Sequence, residues 1–157
     1  MTSKTTQGIR PPGANEISSL HSAHAEAERI AQFGYWDLDL QRKTLLWSRE
    51  IYSIFEIDPN KFGASYEAFL NAIHPEDREY VDNAYTDSVK RRVPYNIVHR
   101  LQMKDGRIKY VRERCETFYD QAGQPVRSIG TVQDITEPQR TLAALHDSET
   151  RLRAHVE

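Results

Sequence analysis

The sequence is poor in three features that would point to particular classes of protein. It has one cysteine, Cys115, so an internal disulfide and a cysteine-based zinc knuckle are both excluded. No stretch approaches the roughly 18 apolar residues of a membrane-spanning helix. Residues 1–10 also lack the apolar core of a secretory signal. We therefore expect a cytoplasmic chain, in a reducing compartment, that makes no membrane contact through these residues.

The charge balance argues against a further class of protein, the nucleic-acid-binding domains. Lys and Arg total 21 against 23 Asp and Glu, for a formal net charge of −2. A nucleic-acid-binding domain usually carries a basic face, so no nucleic-acid partner is expected. Aromatic residues make up 10% of the chain and lie mostly in its middle, which predicts a folded core there.

The pattern of apolar residues predicts an α+β fold. Residues 1–15, rich in Thr, Gly, Pro and Ser, are predicted to be a flexible leader, and residues 16–33 have helical spacing. Alternating runs predict a hairpin of two strands, then short helices, then three more strands. The predicted strands are 35–40, 44–47, 94–103, 107–119 and 126–136. This order predicts an antiparallel sheet with the helices on one face.

The helices between the strands carry recognisable start signals. Ser48 is a predicted N-cap for residues 49–55, and a second short helix begins near Ser65. Pro75 suits the first position of a helix that runs to about Arg92, and the acids Glu76 and Asp77 suit its positive end.

The C-terminal segment, residues 137–157, has a different periodicity. Ile135, Leu142, Glu149 and Val156 are seven residues apart, and Leu145 and Leu152 follow the same spacing with an offset of three. These are the a and d positions of about three heptads, with Glu149 as a polar interruption. The segment is interpreted as a coiled-coil signalling helix, and a solvated helix packed on its own domain is the alternative.

Five short motifs in order resemble a known family. They are Gly34 to Asp39, Leu46-Trp47-Ser48, Ile73 to Arg78, Arg100-Leu101 with Lys104-Asp105-Gly106, and Gly130-Thr131 ending in Asp134-Ile135-Thr136. Together, over residues 30–136, they resemble the PAS domain with its PAC motif, a sensory box of bacterial signalling proteins. We take residues 34–136 as the PAS domain itself.

The resemblance implies a fold and a role. PAS domains are five-stranded antiparallel sheets with helices that enclose a small pocket, here flanked by an N-terminal helix and a C-terminal linker helix. They lie upstream of histidine kinases of two-component systems, diguanylate cyclases and other output domains. A homodimer, an output domain in the same chain (or a further PAS domain), and a small-molecule ligand are the expected partners. The residues expected to transmit the signal are Asp134, Ile135, Thr136, Leu142, Leu145 and Leu152.

A predicted register places the pocket residues. If Asp105-Gly106 closes the hairpin, Leu101 lies opposite Val111, His99 opposite Glu113, and Ile97 opposite Cys115. In related domains such inward positions line the pocket, together with residues of the last strand. The candidate pocket residues are Ile97, His99, Leu101, Val111, Glu113, Cys115, Ser128, Gly130 and Val132.

The His99 and Glu113 pair has two interpretations. A histidine beside a carboxylate can titrate near physiological pH, so the pair is a candidate ligand contact or pH-sensitive element. The alternative is a structural cross-strand pair. Both depend on the register, because a slip of one residue would move one side chain to the other face.

Catalytic and metal sites are not expected. Ser48, His74 and Asp77 suggest a hydrolase, but no Gly-x-Ser-x-Gly elbow or phosphate-binding glycine loop is present. His74, Glu76 and Asp77 suggest a metal site, but adjacent residues at a helix start rarely converge on one ion. Capping explains them better, so no metal site and no enzyme activity are predicted for these residues.

The cofactor is not identified by the sequence. Flavin photosensors of this family carry a reactive cysteine on the helix that here spans residues 75–92, and that helix has none. The flavin-reading glutamine would align with Val132. Haem-binding members present an axial histidine from the same helix, which also lacks one, although His99 lies on a strand. Flavin and haem are therefore not expected.

A ligand-free role is the competing interpretation. A PAS domain whose core is filled by side chains would act only as a dimerisation or spacer module. Phe55, Phe69 and Tyr85 are the bulky residues that would fill it.

Overall fold

The computed structural model describes residues 13–156 as one antiparallel sheet with helices on its inner face and at both ends. The chain order is α1 (Ala14–Ala31), β1 (Phe33–Asp39), β2 (Thr44–Trp47), α2 (Arg49–Phe55), α3 (Tyr66–Ala72), a 3-10 turn (Pro75–Asp77), α4 (Arg78–Arg91), β3 (Tyr95–Gln102), β4 (Ile108–Tyr119), β5 (Pro125–Asp134) and α5 (Thr136–Val156). The predicted α+β class is confirmed. Most of the predicted leader lies outside the described residues.

The five strands are arranged in the order β2-β1-β5-β4-β3, so the last strand lies at the centre of the sheet. β5 pairs with β1 from Phe33 opposite Gln133 to Asp39 opposite Arg127. On its other side it pairs with β4. Within the sheet, the N-terminal hairpin and the three C-terminal strands are therefore joined through the pairing of β1 with β5, which are far apart in the sequence.

The core lies between the inner face of the sheet and α2, α3 and α4. Ile51 and Ile73 from the helical side and Leu101, Val111 and Val132 from the strands are almost completely buried. Burying a side chain of this size contributes about 1.5–3 kcal/mol. Helix α1 contributes little to this core, because Glu28 is its one buried residue within 13–156.

Ser48 shows how a local signal and a tertiary contact combine. It is the N-cap residue of α2, as predicted, but its hydroxyl does not cap the helix. The hydroxyl accepts a hydrogen bond from the Tyr35 backbone N–H at 3.0 Å instead. Ser48 thereby fixes the start of α2 to strand β1.

The predicted register of the β3–β4 hairpin is wrong by two residues. His99 lies opposite Val111, Ile97 opposite Glu113, and Tyr95 opposite Cys115. The turn contains three residues, Lys104 to Gly106, and is closed by a hydrogen bond from the Met103 N–H to the Arg107 carbonyl at 2.8 Å. Gly106 takes the last turn position with φ of 90°, which suits glycine. Because the shift is even, each side chain keeps its predicted face.

Gly130 allows the two hairpins to meet closely. It is the cross-strand partner of Trp36, whose ring lies across it. A methyl group there would overlap the Trp36 ring and approach the Arg114 carbonyl oxygen to 2.7 Å.

We predict that Gly130→Ala destabilises the domain by about 1–3 kcal/mol, because neither the ring nor the β4 backbone can move away cheaply. Urea unfolding followed by circular dichroism measures the change. Gly63→Ala is the control, since a Cβ at Gly63 has no atom within 4 Å and its φ is not positive. It is expected to be neutral or stabilising by up to about 1 kcal/mol. Equal stability of the Gly130 variant and wild type would contradict the proposed close approach.

Candidate functional site

A cavity of about 430 Å³ lies between the inner face of the sheet and helices α2, α3 and α4. Its walls are mainly aromatic and aliphatic. The aromatic side chains that line it are Trp36, Trp47, Phe55, Tyr66, Phe69, Tyr85 and Tyr95. Binding sites for small molecules commonly have volumes of about 300–1,000 Å³ and similar walls.

The polar side chains of the wall are few and unevenly placed. Glu113 lies on the inner wall and is 2% exposed. Asp82 and Lys43 also line the cavity, and both are exposed to solvent. The Tyr66 hydroxyl donates a hydrogen bond to Asp82. The deep part of the cavity therefore presents a carboxylate within apolar surroundings.

Tyr95 holds the Glu113 carboxylate in place. Its hydroxyl donates to Glu113 Oε2 at 2.8 Å, and both side chains are buried. Burial, reinforced by the negative charge of Glu113, raises the pKa of Tyr95 well above its ordinary value. The phenol therefore stays protonated and remains a donor at physiological pH.

His99 approaches Glu113 from behind the cavity wall. Its Nε2 lies 3.3 Å from Glu113 Oε2, so the predicted pair meets as diagonal neighbours despite the changed register. Nε2 is buried and has no hydrogen-bond partner among the described residues. His99 Nδ1 is 3.3 Å from the Arg100 carbonyl oxygen.

The candidate pocket residues are divided between the cavity wall and the core beneath it. Glu113 and Val132 line the cavity. Leu101 and Val111 are fully buried core residues, and Ile97 packs against the same core. Gly130 lies under the Trp36 ring.

Ser128 and Cys115 have buried positions of a different kind. The Ser128 hydroxyl is bonded to the Tyr85 hydroxyl at 2.9 Å and to the Thr117 hydroxyl at 2.7 Å. Ser128 therefore joins helix α4 to strands β4 and β5. Burial raises the pKa of the Cys115 thiol to about 12, so it is a neutral thiol at physiological pH.

Sequence reasoning missed several polar residues of the site, among them Tyr95, Tyr66 and Asp82. Tyr95 continues the alternation of Ile97 and His99 by one step, so the period-two pattern could have identified it. Tyr66 and Asp82 lie on different helices, and nothing in the sequence indicates that they meet.

The segment from His74 to Asp77 has a structural role. Asp77 accepts the Arg100 backbone N–H at 2.8 Å and the Arg100 guanidinium at 2.7 Å and 3.1 Å. His74 Nδ1 accepts the Glu76 N–H at 3.2 Å. Within residues 13–156, no three His, Cys, Asp or Glu side chains form a group able to hold a metal ion.

Three of the six residues predicted to transmit a signal, Asp134, Ile135 and Thr136, lie in a junction at the end of β5. The Asp134 N–H donates to the Gln32 carbonyl, and the Ile135 N–H donates to the Tyr110 carbonyl, both at 2.9 Å. The Thr136 hydroxyl accepts the Tyr110 N–H at 3.1 Å and donates to Asp134. The end of α1, strand β4 and the start of α5 are thus held together at one point.

The sheet, its helices and the aromatic cavity define a small α+β domain, and comparison with known proteins identifies the family. A model described as the PAS fold matches residues 44–132, which is more than half of the chain. The chain belongs to the PAS fold family.

Two curated relatives are signalling proteins. The sensor protein FixL of Bradyrhizobium diazoefficiens is 32% identical over 128 residues, covering 80% of this chain and 25% of FixL. The probable diguanylate cyclase DgcE of Escherichia coli K12 is 25% identical over 126 residues, covering 80% of this chain and 11% of DgcE. The chain spans a quarter or less of the length of either relative, and these matches identify it as a PAS sensory module.

A solved structure supports the same fold. A sensory box histidine kinase/response regulator from Burkholderia thailandensis matches with a TM-score of 0.69 and 24% identity. The match covers 83% of this chain and 98% of that structure. Among the described residues, no helix combines the length and apolar character needed to cross a membrane.

We predict that Asp77→Asn destabilises the domain by about 1–2 kcal/mol at pH 7, because it removes a largely buried partner of Arg100. Hydrogen bonds from Arg100 hold the pKa of Asp77 below its ordinary value of 3.8. A carboxylate of lowered pKa stabilises the fold above that value and loses this contribution as the pH falls below it. The difference between variant and wild type, measured by urea unfolding, should therefore shrink from pH 7 towards pH ~2.

Glu76→Gln is the control for this measurement. Glu76 contacts the same Arg100 at 3.1 Å, but its side chain is 75% exposed. Exposed ion pairs contribute about 0–1 kcal/mol, so this variant should be close to wild type. A pH-independent effect of Asp77→Asn would refute the electrostatic explanation.

Proposed function

We propose that this PAS module senses a small molecule bound in the cavity and relays its presence to an output domain through α5. The observation that carries the proposal is the 430 Å³ cavity with largely apolar walls and a buried carboxylate. Its volume falls within the range of small-molecule sites.

The positions of the three bulky aromatic residues support ligand binding over a spacer role. A spacer domain would need Phe55, Phe69 and Tyr85 to fill the space between sheet and helices. These three residues line the cavity and leave its volume between them. A small molecule in this space would gain packing interactions with these side chains.

The relay is proposed to run along β5. Val132 lines the cavity, and Asp134 follows two residues later in the hydrogen-bonded junction with Gln32. A ligand that favours one arrangement of the sheet would shift the population of α5 orientations. A tenfold change in output requires about 1.4 kcal/mol of differential binding.

A larger parent protein is part of the proposal. FixL and DgcE both extend far beyond the matched region, so an output domain of the histidine kinase or diguanylate cyclase type is proposed in the same chain. A further PAS domain is the alternative neighbour. The module itself is proposed to have no enzyme activity and to act in the cytoplasm, where a lone buried thiol such as Cys115 stays reduced.

Dimerisation through α5 is the remaining proposal. Leu142, Leu145 and Leu152 lie at the a and d positions and are 57–65% exposed. A stripe of exposed leucines with heptad spacing is typical of a coiled-coil seam. We propose that a second copy of this chain covers it.

The ligand proposal predicts that the purified domain carries an additional small-molecule mass in native mass spectra, or a visible absorption band. Leu45→Trp should abolish it, because Leu45 lines the cavity and the larger ring would occupy the space. Leu46→Trp is the control, since Leu46 is the next residue of β2 and is 65% exposed. A clean protein mass at the dimer position would instead favour the spacer role.

The dimer proposal predicts that Leu145→Glu weakens self-association at least tenfold, since burying one leucine at an interface contributes about 1.5–3 kcal/mol. Light scattering after size exclusion measures the mass. Ala144→Glu introduces the same charge on the adjacent residue, outside the a and d positions, and should remain dimeric. A monomeric wild type, or a dimeric Leu145 variant, would count against the seam.

A further inference from the structure

The chemistry of the ligand can be inferred from the position of Glu113. Glu113 is 2% exposed, and it lines the cavity. Its small accessible part therefore faces the space that a ligand would occupy. Among residues 13–156, Tyr95 is its hydrogen-bond donor, through Oε2. A carboxylate has about four acceptor positions, so Glu113 retains capacity to accept from a ligand.

His99 does not complete the hydrogen bonding of Glu113. Its Nε2 lies 3.3 Å from Glu113 Oε2, and no hydrogen bond joins the two atoms. Its Nδ1 lies 3.3 Å from the Arg100 carbonyl oxygen. A buried carboxylate is costly unless it is paired and fully hydrogen-bonded. A positively charged ligand would provide the missing partner.

The walls of the cavity favour a cation for a second reason. The aromatic side chains of Trp36, Trp47, Phe69 and Tyr85 line the space, and aromatic rings attract a cation placed over their faces. The charged residues of the lining are two acids, Glu113 and Asp82, against one lysine, Lys43. An anion of the same size would meet the buried carboxylate directly.

We propose that the cavity binds a small organic cation, an amine with an apolar or aromatic body, and that Glu113 is its charged contact. This inference rests on the proposed function, because it requires the cavity to hold a ligand. The body of the ligand packs against the aromatic walls, and its ammonium group donates to Glu113.

Three probes of similar size test the proposal by isothermal titration calorimetry at pH 7. They are 2-phenylethylamine, 2-phenylethanol and phenylacetate, which carry an ammonium, a hydroxyl and a carboxylate on similar bodies. Wild type should bind the amine at least about tenfold more tightly than the alcohol, since a charge-assisted hydrogen bond exceeds a neutral one by about this factor. Phenylacetate should bind most weakly.

Glu113→Gln should reduce the preference for the amine to about equality with the alcohol. Glutamine has nearly the same volume and can still accept from Tyr95, so binding of the alcohol should persist. Glu116→Gln is the matched control: Glu116 lies on the same strand, is exposed and does not line the cavity, so this variant should retain the preference for the amine. If Glu113→Gln does not fold, the ratio of amine to alcohol binding in wild type decides alone.

The outcomes separate this inference from the proposed function. Equal binding of amine and alcohol by wild type, or an unchanged preference in Glu113→Gln, overturns the cation assignment and leaves the cavity as a ligand site. The absence of amine binding also overturns it. If amine binding is absent and native mass spectra of the wild type also show only the mass of the protein, the proposed ligand site is overturned as well.

Discussion

The pairing of β5 with both β1 and β4 is the constraint on which the rest of the structure depends. It joins two hairpins that are far apart in the sequence, and it places Trp36 of β1 over Gly130 of β5. The wall of the cavity extends across the pairing of β1 with β5: Trp36 lies on one side of it, and Tyr95 and Glu113 lie on the other. Pairings of high sequence separation carry a large loop-closure entropy, so the cavity forms only when the whole sheet has formed.

Local signals predicted the elements well and their exact pairing less well. Strand β2 and helix α2 have the predicted bounds, because Ser48 separates an alternating run from a helical one. The β3–β4 register was wrong by two residues, since Gly106 is the last residue of a three-residue turn. The alternation of apolar residues determines which face of the sheet a side chain occupies, and the turn determines which residue lies opposite it on the next strand. His99 and Glu113 were therefore placed on the correct face but opposite the wrong residues.

The extent of the cavity could not be predicted from the sequence pattern of the strands. Alternation predicts which residues point inward, but the helices decide which inward residues stay uncovered. Leu101 and Val111 are covered completely, whereas Glu113 and Val132 border open space. The helical side of the site, including the contact of Tyr66 with Asp82, depends on packing between α3 and α4 that has no local signature.

Ser128 explains how a ligand in this cavity could act on the sheet without disrupting it. Tyr85 lines the cavity, and its hydroxyl is bonded to the fully buried Ser128, which is bonded in turn to Thr117. A hydrogen bond of this kind contributes about 0.5–1.5 kcal/mol, which is comparable to the roughly 1.4 kcal/mol of a tenfold shift in a conformational equilibrium. If a ligand displaced Tyr85 and broke its bond to Ser128, Ser128 would keep Thr117 as its partner, so the pairing of β4 with β5 would be preserved. Ser128 and Asp134 lie on the same strand, so under the proposed function a change at Ser128 and the junction with α5 are connected through β5.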